Sequence, residues 1–156
     1  MIIREMKEGD IEGVSQVCLD AFSDSVAGSL SDEGIATFTA IASPNAFAER
    51  MKADNRMLVA EDNNGEILGV VELKEGRHIA MLFVTPSQQK GGIGRRLLTA
   101  VLKYARSEIV TVSASLPSVP AYQKYGFKLK GDVGELSGLV YQPMEVSTNQ
   151  KVSPCF

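Results

Sequence analysis

The stretch Phe83-Val84-Thr85-Pro86-Ser87-Gln88-Gln89-Lys90-Gly91-Gly92-Ile93-Gly94-Arg95-Arg96 is the part of the chain best suited to hold a polyanion. An apolar strand-like run enters it, and an amphipathic helical pattern leaves it. Glycines allow a backbone with positive φ and close approach to a ligand. The first turn of the helix that follows offers unpaired N–H groups and the positive end of a dipole. Lys90, Arg95 and Arg96 add full charges, so a diphosphate is the natural guest. Two common diphosphate loops do not match. A Walker loop needs Gly-Lys-Ser/Thr, and Gly94 is followed by Arg95-Arg96. The dinucleotide fingerprint needs a third glycine or alanine, where Leu97 stands, and it belongs on the first strand of its fold.

Gln89-x-x-Gly92-x-Gly94 resembles the Q/R-x-x-G-x-G/A signature of the GNAT N-acetyltransferases. Pro120-Ala121-Tyr122-Gln123-Lys124-Tyr125-Gly126-Phe127 is similar to that family's second conserved region, in a P-x-Y-x-K-x-G-F form. The resemblance extends over roughly residues 2 to 146 and is strongest between 79 and 127. It implies an α/β (α+β) single-domain fold. A mixed, mostly antiparallel sheet of about six to seven strands would carry one parallel pair splayed around the coenzyme A site, flanked by about four to five helices. It also implies roles. Gln89, Lys90, Gly91, Gly92, Ile93, Gly94 and Arg95 would hold the pyrophosphate of acetyl-CoA. Leu82, Phe83 and Val84 would offer their backbone to the pantetheine arm. Tyr122 would protonate the departing thiolate, chemistry open to a phenol of pKa near 10 facing a thiol near 8.5. Where the family places an asparagine for the pantetheine, this chain has Ser113, with Ser115 on the same strand face.

The acceptor amine must lose a proton before it attacks a thioester. In histone-type members a glutamate precedes the loop's Q/R by eleven residues, and His78 holds that place here. An imidazole titrating near 6.5 suits a base at neutral pH. Glu72 is the second candidate, set against its bland reading as a solvated strand residue. The expected activity is acetyl transfer from acetyl-CoA to a primary amine by direct attack in a ternary complex, without a covalent acyl-enzyme. A catalytically silent acyl-CoA-binding or regulatory module is the alternative, and another short acyl chain is a third reading. The acceptor is a small-molecule or peptide amine, and family habit makes a homodimer an expectation.

The elements that must position these residues are readable from local pattern. Ile2 to Met6 reads as a strand. Asp10 offers a cap for a helix carrying Ile11, Val14, Cys18 and Phe22. Ser23 to Leu30 reads as a loop, and a helix from about Asp32 carries Ile35, Phe38 and Ile41. Ser43-Pro44 starts another helix. Strands at Met57 to Glu61 and Glu66 to Lys74 flank Asp62-Asn63-Asn64-Gly65, a hairpin signal. Ile79 to Val84 is apolar enough for a strand covered on both faces. The helix from Gly92 to about Ser107 puts Ile93, Leu97, Leu98, Val101, Leu102 and Ala105 on one stripe. A strand at Ile109 to Ser115 makes a strand-helix-strand unit with parallel strands. A short helix at Pro120 to Tyr125 and strands at Phe127 to Lys130 and Leu139 to Val146 follow. Residues 1 to 146 form one domain, and 147 to 156 form a polar tail.

Composition narrows the class further. The 156 residues are 44% apolar and 22% charged, with 16 Lys and Arg against 19 Asp and Glu. That balance lacks the basic face of a nucleic-acid binder, so no nucleic-acid partner is expected. No apolar run approaches the roughly 20 residues that span a bilayer, and no membrane partner is expected. Two cysteines, Cys18 and Cys155, and a single histidine argue against a disulfide framework and a metal cluster. The charged start MIIREMKEGD is unlike a signal peptide, and a cytoplasmic location is the expectation.

Overall fold

The computed structural model describes residues 1–149. Five α-helices flank an eight-stranded sheet, and the elements run β1 (Ile2–Glu5), α1 (Ile11–Ser25), α2 (Asp32–Ile41), α3 (Pro44–Met51), β2 (Asn55–Glu61), β3 (Ile67–Lys74), β4 (His78–Val84), α4 (Ile93–Leu102), β5 (Ile109–Ser115), α5 (Val119–Lys124), β6 (Lys128–Leu129), β7 (Gly134–Leu136) and β8 (Leu139–Ser147). The strand order is β1-β2-β3-β4-β5-β8-β6, with β7 also paired to β8. Every pairing is antiparallel except β4 with β5. Among the described residues no helix is long and apolar enough to cross a membrane.

Local chemistry explains most of these elements. Asp62 Oδ1 accepts the N–H groups of Asn64 and Glu66 at 2.8 and 2.9 Å, and Gly65 takes φ +83°, which closes the β2–β3 hairpin. Glu75 and Gly76 both have positive φ, the Arg77 N–H donates to Lys74 O at 3.0 Å, and these three residues join β3 to β4. Ser43 caps α3 by accepting the Ala46 N–H at 3.2 Å, with Pro44 behind it. On α4, Ile93, Leu97, Leu98 and Val101 are buried along the expected stripe. They meet Val71, Ile79 and Val110 in a core on one face of the sheet. The other face is packed by α1, α2 and α3 through Val14, Phe22, Phe38 and Phe47 against Val59, Val70 and Met81.

Several expectations are corrected. Asp10 does not cap α1. Its carboxylate is held by Arg4 at 2.8 and 2.9 Å and by the Lys7 N–H at 2.7 Å. Ser23 to Ser25 continue α1, and Ala27–Ser29 form a 3-10 turn, so the expected loop is mostly helical. The helix α4 stops at Leu102, short of Ser107. The short strand β7 has no counterpart in the sequence reading. Strand β8 continues one residue past position 146, and the Thr148 N–H donates to Glu108 O at 2.7 Å. The end of the tail, with Cys155, lies outside the described residues.

Candidate active site

The site begins where β4 parts from β5. Their parallel ladder consists of His78↔Thr111 and Ile79↔Val112. On the other side of β4, Glu72 pairs with Met81 and Leu73 with Ile79, which leaves Ala80 as an extra, exposed residue in a bulge. A bulge bends its strand and ends pairing. From Ala80 onward β4 therefore diverges from β5, and Leu82, Phe83 and Val84 present an unpaired edge to the gap. Ser113 to Ser115 form the opposite bank, held away from β4 by their pairing with β8 at Pro143 to Tyr141.

At the open end of this gap lies the glycine turn. Gly92 is left-handed at φ +81° and stands at the N-cap of α4. A side chain there would be strained by backbone conformation alone, since a Cβ would meet nothing within 4 Å. The N–H groups of Lys90, Gly92, Ile93, Gly94 and Arg95 find no protein acceptor among the described residues, whereas Gly91 N–H reaches Gln88 O and Arg96 N–H reaches Gly92 O. Five free amides at a helix start form an anion cradle, and this is the feature a pyrophosphate would fit. Two side chains of this segment are engaged by the protein itself. Gln89 turns inward, its Nε2 donating to Val84 O at 3.1 Å. Arg95 donates to Lys124 O at 3.1 Å, with its guanidinium 5.4 Å from the centre of the Tyr125 ring. Lys90 and Arg96 are exposed at the cradle, and Ile93 is buried beneath it.

Tyr122 on α5 is only 6% exposed. Its ring meets Tyr125 and Phe127 edge-on at 5.9 and 5.3 Å. Burial, with a smaller push from Tyr125, drives the phenol far above its ordinary pKa. Its hydroxyl has no protein hydrogen-bond partner among the described residues. Tyr125 was not singled out by the sequence. Its hydroxyl lies where a Cβ on Gly94 would come within 2.8 Å, so the second glycine of the signature makes room for this ring. An aromatic three residues after Tyr122 on one short helix was the only available signal.

The remaining candidates separate. His78 lies at the closed end of the gap, half-buried, with Nδ1 2.8 Å from Thr111 Oγ1. Burial, Arg77 and Lys74 lower its pKa, so the imidazole is neutral at pH 7. Glu72 is not a solvated residue. It is wholly buried and paired with Arg50, Nε to Oε2 at 3.0 Å. Burial pushes its carboxyl up, and Arg50 opposes that. Ser113 is exposed on β5, whereas Ser115 Oγ is shared with Ser118 Oγ at 2.8 Å. A hollow lined by Glu5, Met57, Leu73, Tyr104 and Arg106 reaches Gly76 at the β3–β4 turn and belongs to the other end of the sheet.

The arrangement agrees with known proteins. A family profile described as the acetyltransferase (GNAT) domain matches residues 26–148. A peptidyl-lysine N-acetyltransferase, YiaC, of Escherichia coli (strain K12) is 30% identical over 69 residues, a match spanning 44% of this chain and 47% of that protein, about half its length. A GCN5-related N-acetyltransferase from Rhodopseudomonas palustris shares the fold with TM-score 0.82 at 24% identity, over 94% of each chain. The PaiA N-acetyltransferase of Thermoplasma acidophilum, solved with coenzyme A, superposes with TM-score 0.73 at 19% identity, over 94% of this chain and 98% of that one. With the profile covering most of the sequence and the splayed strands and glycine cradle in place, the chain belongs to the GNAT family of acetyltransferases.

Proposed function

We propose that this protein moves an acetyl group from acetyl-CoA to a primary amine by direct attack in a ternary complex. The observation that carries the reading is the set of free amides around left-handed Gly92, at the open end of a gap between two parting parallel strands. Acetyl-CoA would supply the activated thioester. The free amides of Lys90, Gly92, Ile93, Gly94 and Arg95 bind its diphosphate, and the free edge of Leu82 to Val84 orients the arm. Tyr122 stays protonated and donates to the sulfur as it leaves. His78, neutral at pH 7, takes the proton of the amine, through water where direct reach fails. Cys18 is no nucleophile, because burial pushes its thiol pKa up. The acceptor side suits an ammonium: residues 8 to 49, which build α1, α2 and most of α3, contain no Lys or Arg, the Arg50 of α3 is paired with Glu72, and residues 131 to 144 contain none either. The solved relatives include a spermidine N-acetyltransferase from Vibrio cholerae and an aminoglycoside 6'-N-acetyltransferase.

Coenzyme A at about 100 times its Kd should stabilise the chain by about 2.7 kcal/mol. For a domain of this size that is a rise in Tm of roughly 5–10 °C. Absence of any rise at millimolar coenzyme A defeats the reading. A second reading, a silent acyl-CoA-binding module, is favoured by one observation: Glu72 is locked to Arg50 and His78 stands at the closed end of the gap. Thiol release from acetyl-CoA across an amine panel separates the two. A rise in Tm without turnover on any amine selects the silent module.

A further inference from the structure

His78 is the one histidine in the sequence. It faces the α1–α3 side of the sheet, because its neighbour Ile79 lies in the α4-side core and side chains alternate along a strand. Thr111 faces the same way, between Val110 and Val112 of that core. The register His78↔Thr111 sets the two residues side by side, and the Thr111 N–H donates to Arg77 O at 2.9 Å. The backbone ladder therefore fixes how the two side chains approach. Thr111 Oγ1 stands 2.8 Å from His78 Nδ1, and it donates to Arg77 O at 3.5 Å. His78 Nε2 has no protein hydrogen-bond partner among the described residues.

A neutral imidazole carries one N–H, and the bond made by one ring nitrogen decides the state of the other. Two arrangements are open to this pair. In the first, the hydroxyl donates to Nδ1. The ring proton then sits on Nε2, Arg77 O loses its side-chain donor, and no bare ring nitrogen is left. In the second, Nδ1–H donates to Oγ1, and the hydroxyl proton goes to Arg77 O. Only the second makes both contacts, with the threonine as acceptor and donor at once. We infer that Thr111 is a positioning residue, which holds His78 in its Nδ1–H form and leaves the Nε2 lone pair bare. The tautomer stands on this geometry alone. Its use rests on the acetyltransferase reading above: the ammonium proton of the acceptor bonds to Nε2, the electron pair it leaves stays on the amine nitrogen for the attack, and Nδ1–H keeps its bond to Thr111. The charges around the pair are Lys74, which is the β3 partner of His78, Arg77, and Glu145, which stands opposite Thr111 on β8 with its carboxylate 3.4 Å from Lys130 Nζ. Among the described residues none of these side chains hydrogen-bonds the ring, so Thr111 alone sets the tautomer.

The test uses the full chain, labelled with ¹⁵N, whose long-range ¹H–¹⁵N spectrum shows a single imidazole. At about pH 8, above the ordinary titration range of histidine, the wild type should show a protonated Nδ1 and an unprotonated Nε2. Thr111→Val removes the hydroxyl and keeps the branch, and it should move the ring proton to Nε2. Its kcat on an amine that the wild type acetylates should fall at least about tenfold, part of the roughly 10²–10⁴-fold that a positioned base contributes. The KM for acetyl-CoA and the rise in Tm with coenzyme A should persist, because Thr111 lies outside the glycine cradle. Thr111→Ser should restore both tautomer and rate. A wild-type ring protonated at Nε2, or a proton that stays on Nδ1 in Thr111→Val, overturns the inference. So does a Thr111→Val that switches tautomer and still turns over at the wild-type rate. A rise in Tm without turnover on any amine defeats the acetyltransferase reading instead, and the wild-type spectrum still decides the tautomer, as it does where Thr111→Val fails to fold.

Discussion

The Tyr122 phenol loses nearly all contact with water on α5, and that burial keeps its proton in place well beyond the ordinary tyrosine range. Such a group is fully protonated at any working pH, and it donates because it is aligned rather than because it is acidic. Tyr122→Phe should lower kcat by about 10²–10⁴-fold, the usual contribution of a positioned acid. The hydroxyl has no protein partner, so its loss orphans nothing, and the Tm and its rise with coenzyme A should stay close to wild type. A variant that turns over normally removes Tyr122 from the chemistry. His78 makes the opposite kind of prediction. Its folded-state pKa lies below the unfolded value near 6.5, so the unfolded chain takes up the proton first. Stability owed to neutral His78 is complete above about pH 6.5 and falls as the pH drops toward the folded pKa. With the imidazole as the base, activity should fall along an acid limb as the pH drops through the folded pKa. His78→Gln should flatten the difference in urea midpoint between pH 7.5 and 5.5 and abolish that limb of kcat/KM. A limb that survives in the variant belongs to another group.

At the scale of elements, the cradle depends on how α5 docks on the first turn of α4. Tyr125 fills the space beside Gly94, and Arg95 ties the same turn to Lys124 O. Gly94→Ala places a methyl 2.8 Å from the Tyr125 hydroxyl but 3.7 Å from its ring carbon. The substitution should cost about 1–2 kcal/mol by overpacking, and Tyr125→Phe should relieve most of that. A double-mutant cycle in urea checks it: a coupling energy near zero would mean that Gly94 serves some purpose other than room for Tyr125. These contacts also show what the sequence could and could not disclose. The glycine turn, the β2–β3 hairpin and the α4 stripe were legible because each is written within a few consecutive residues. The Ala80 bulge, the pairing of β7 and the contact of α2 with Ser137 and Gly138 join segments far apart, where no local pattern operates. Asp10 looked like a cap because a cap is a local feature, but Arg4, fixed in place by β1, took its carboxylate. Ser115 looked free until the turn after β5 brought Ser118 to it.

Across the whole molecule, the α1–α3 layer is joined to the sheet by one charged tie as well as by apolar packing. Arg50 leaves α3, lies over Phe47 at 4.5 Å, donates to Ile41 O at 2.7 Å and pairs with buried Glu72 on β3. Removing one partner of a buried pair leaves an uncompensated charge, at about 3–5 kcal/mol. Arg50→Met keeps much of the stem's packing and isolates that effect. With Arg50 gone, only the weaker pull of Lys74 opposes the burial that already raises the Glu72 pKa, so the folded chain binds a proton that the unfolded chain, near pH 4.5, has released. Stability of the variant is then present at low pH and is lost as the pH rises through the folded pKa. The destabilisation relative to wild type should therefore be greater at pH 8 than at pH 5. Subtracting wild type cancels the His78 contribution, which runs the other way, and a floor of pH 5 stays clear of Asp10, whose pKa Arg4 lowers. The lost bond to Ile41 O and the lost contact with Phe47 do not titrate, so they set the residual cost at pH 5. Adding Glu72→Gln should erase the pH-dependent part and leave that residue. A destabilisation that is flat from pH 5 to 8 would show that Glu72 stays ionised without Arg50, and that the tie between the layers is packing alone.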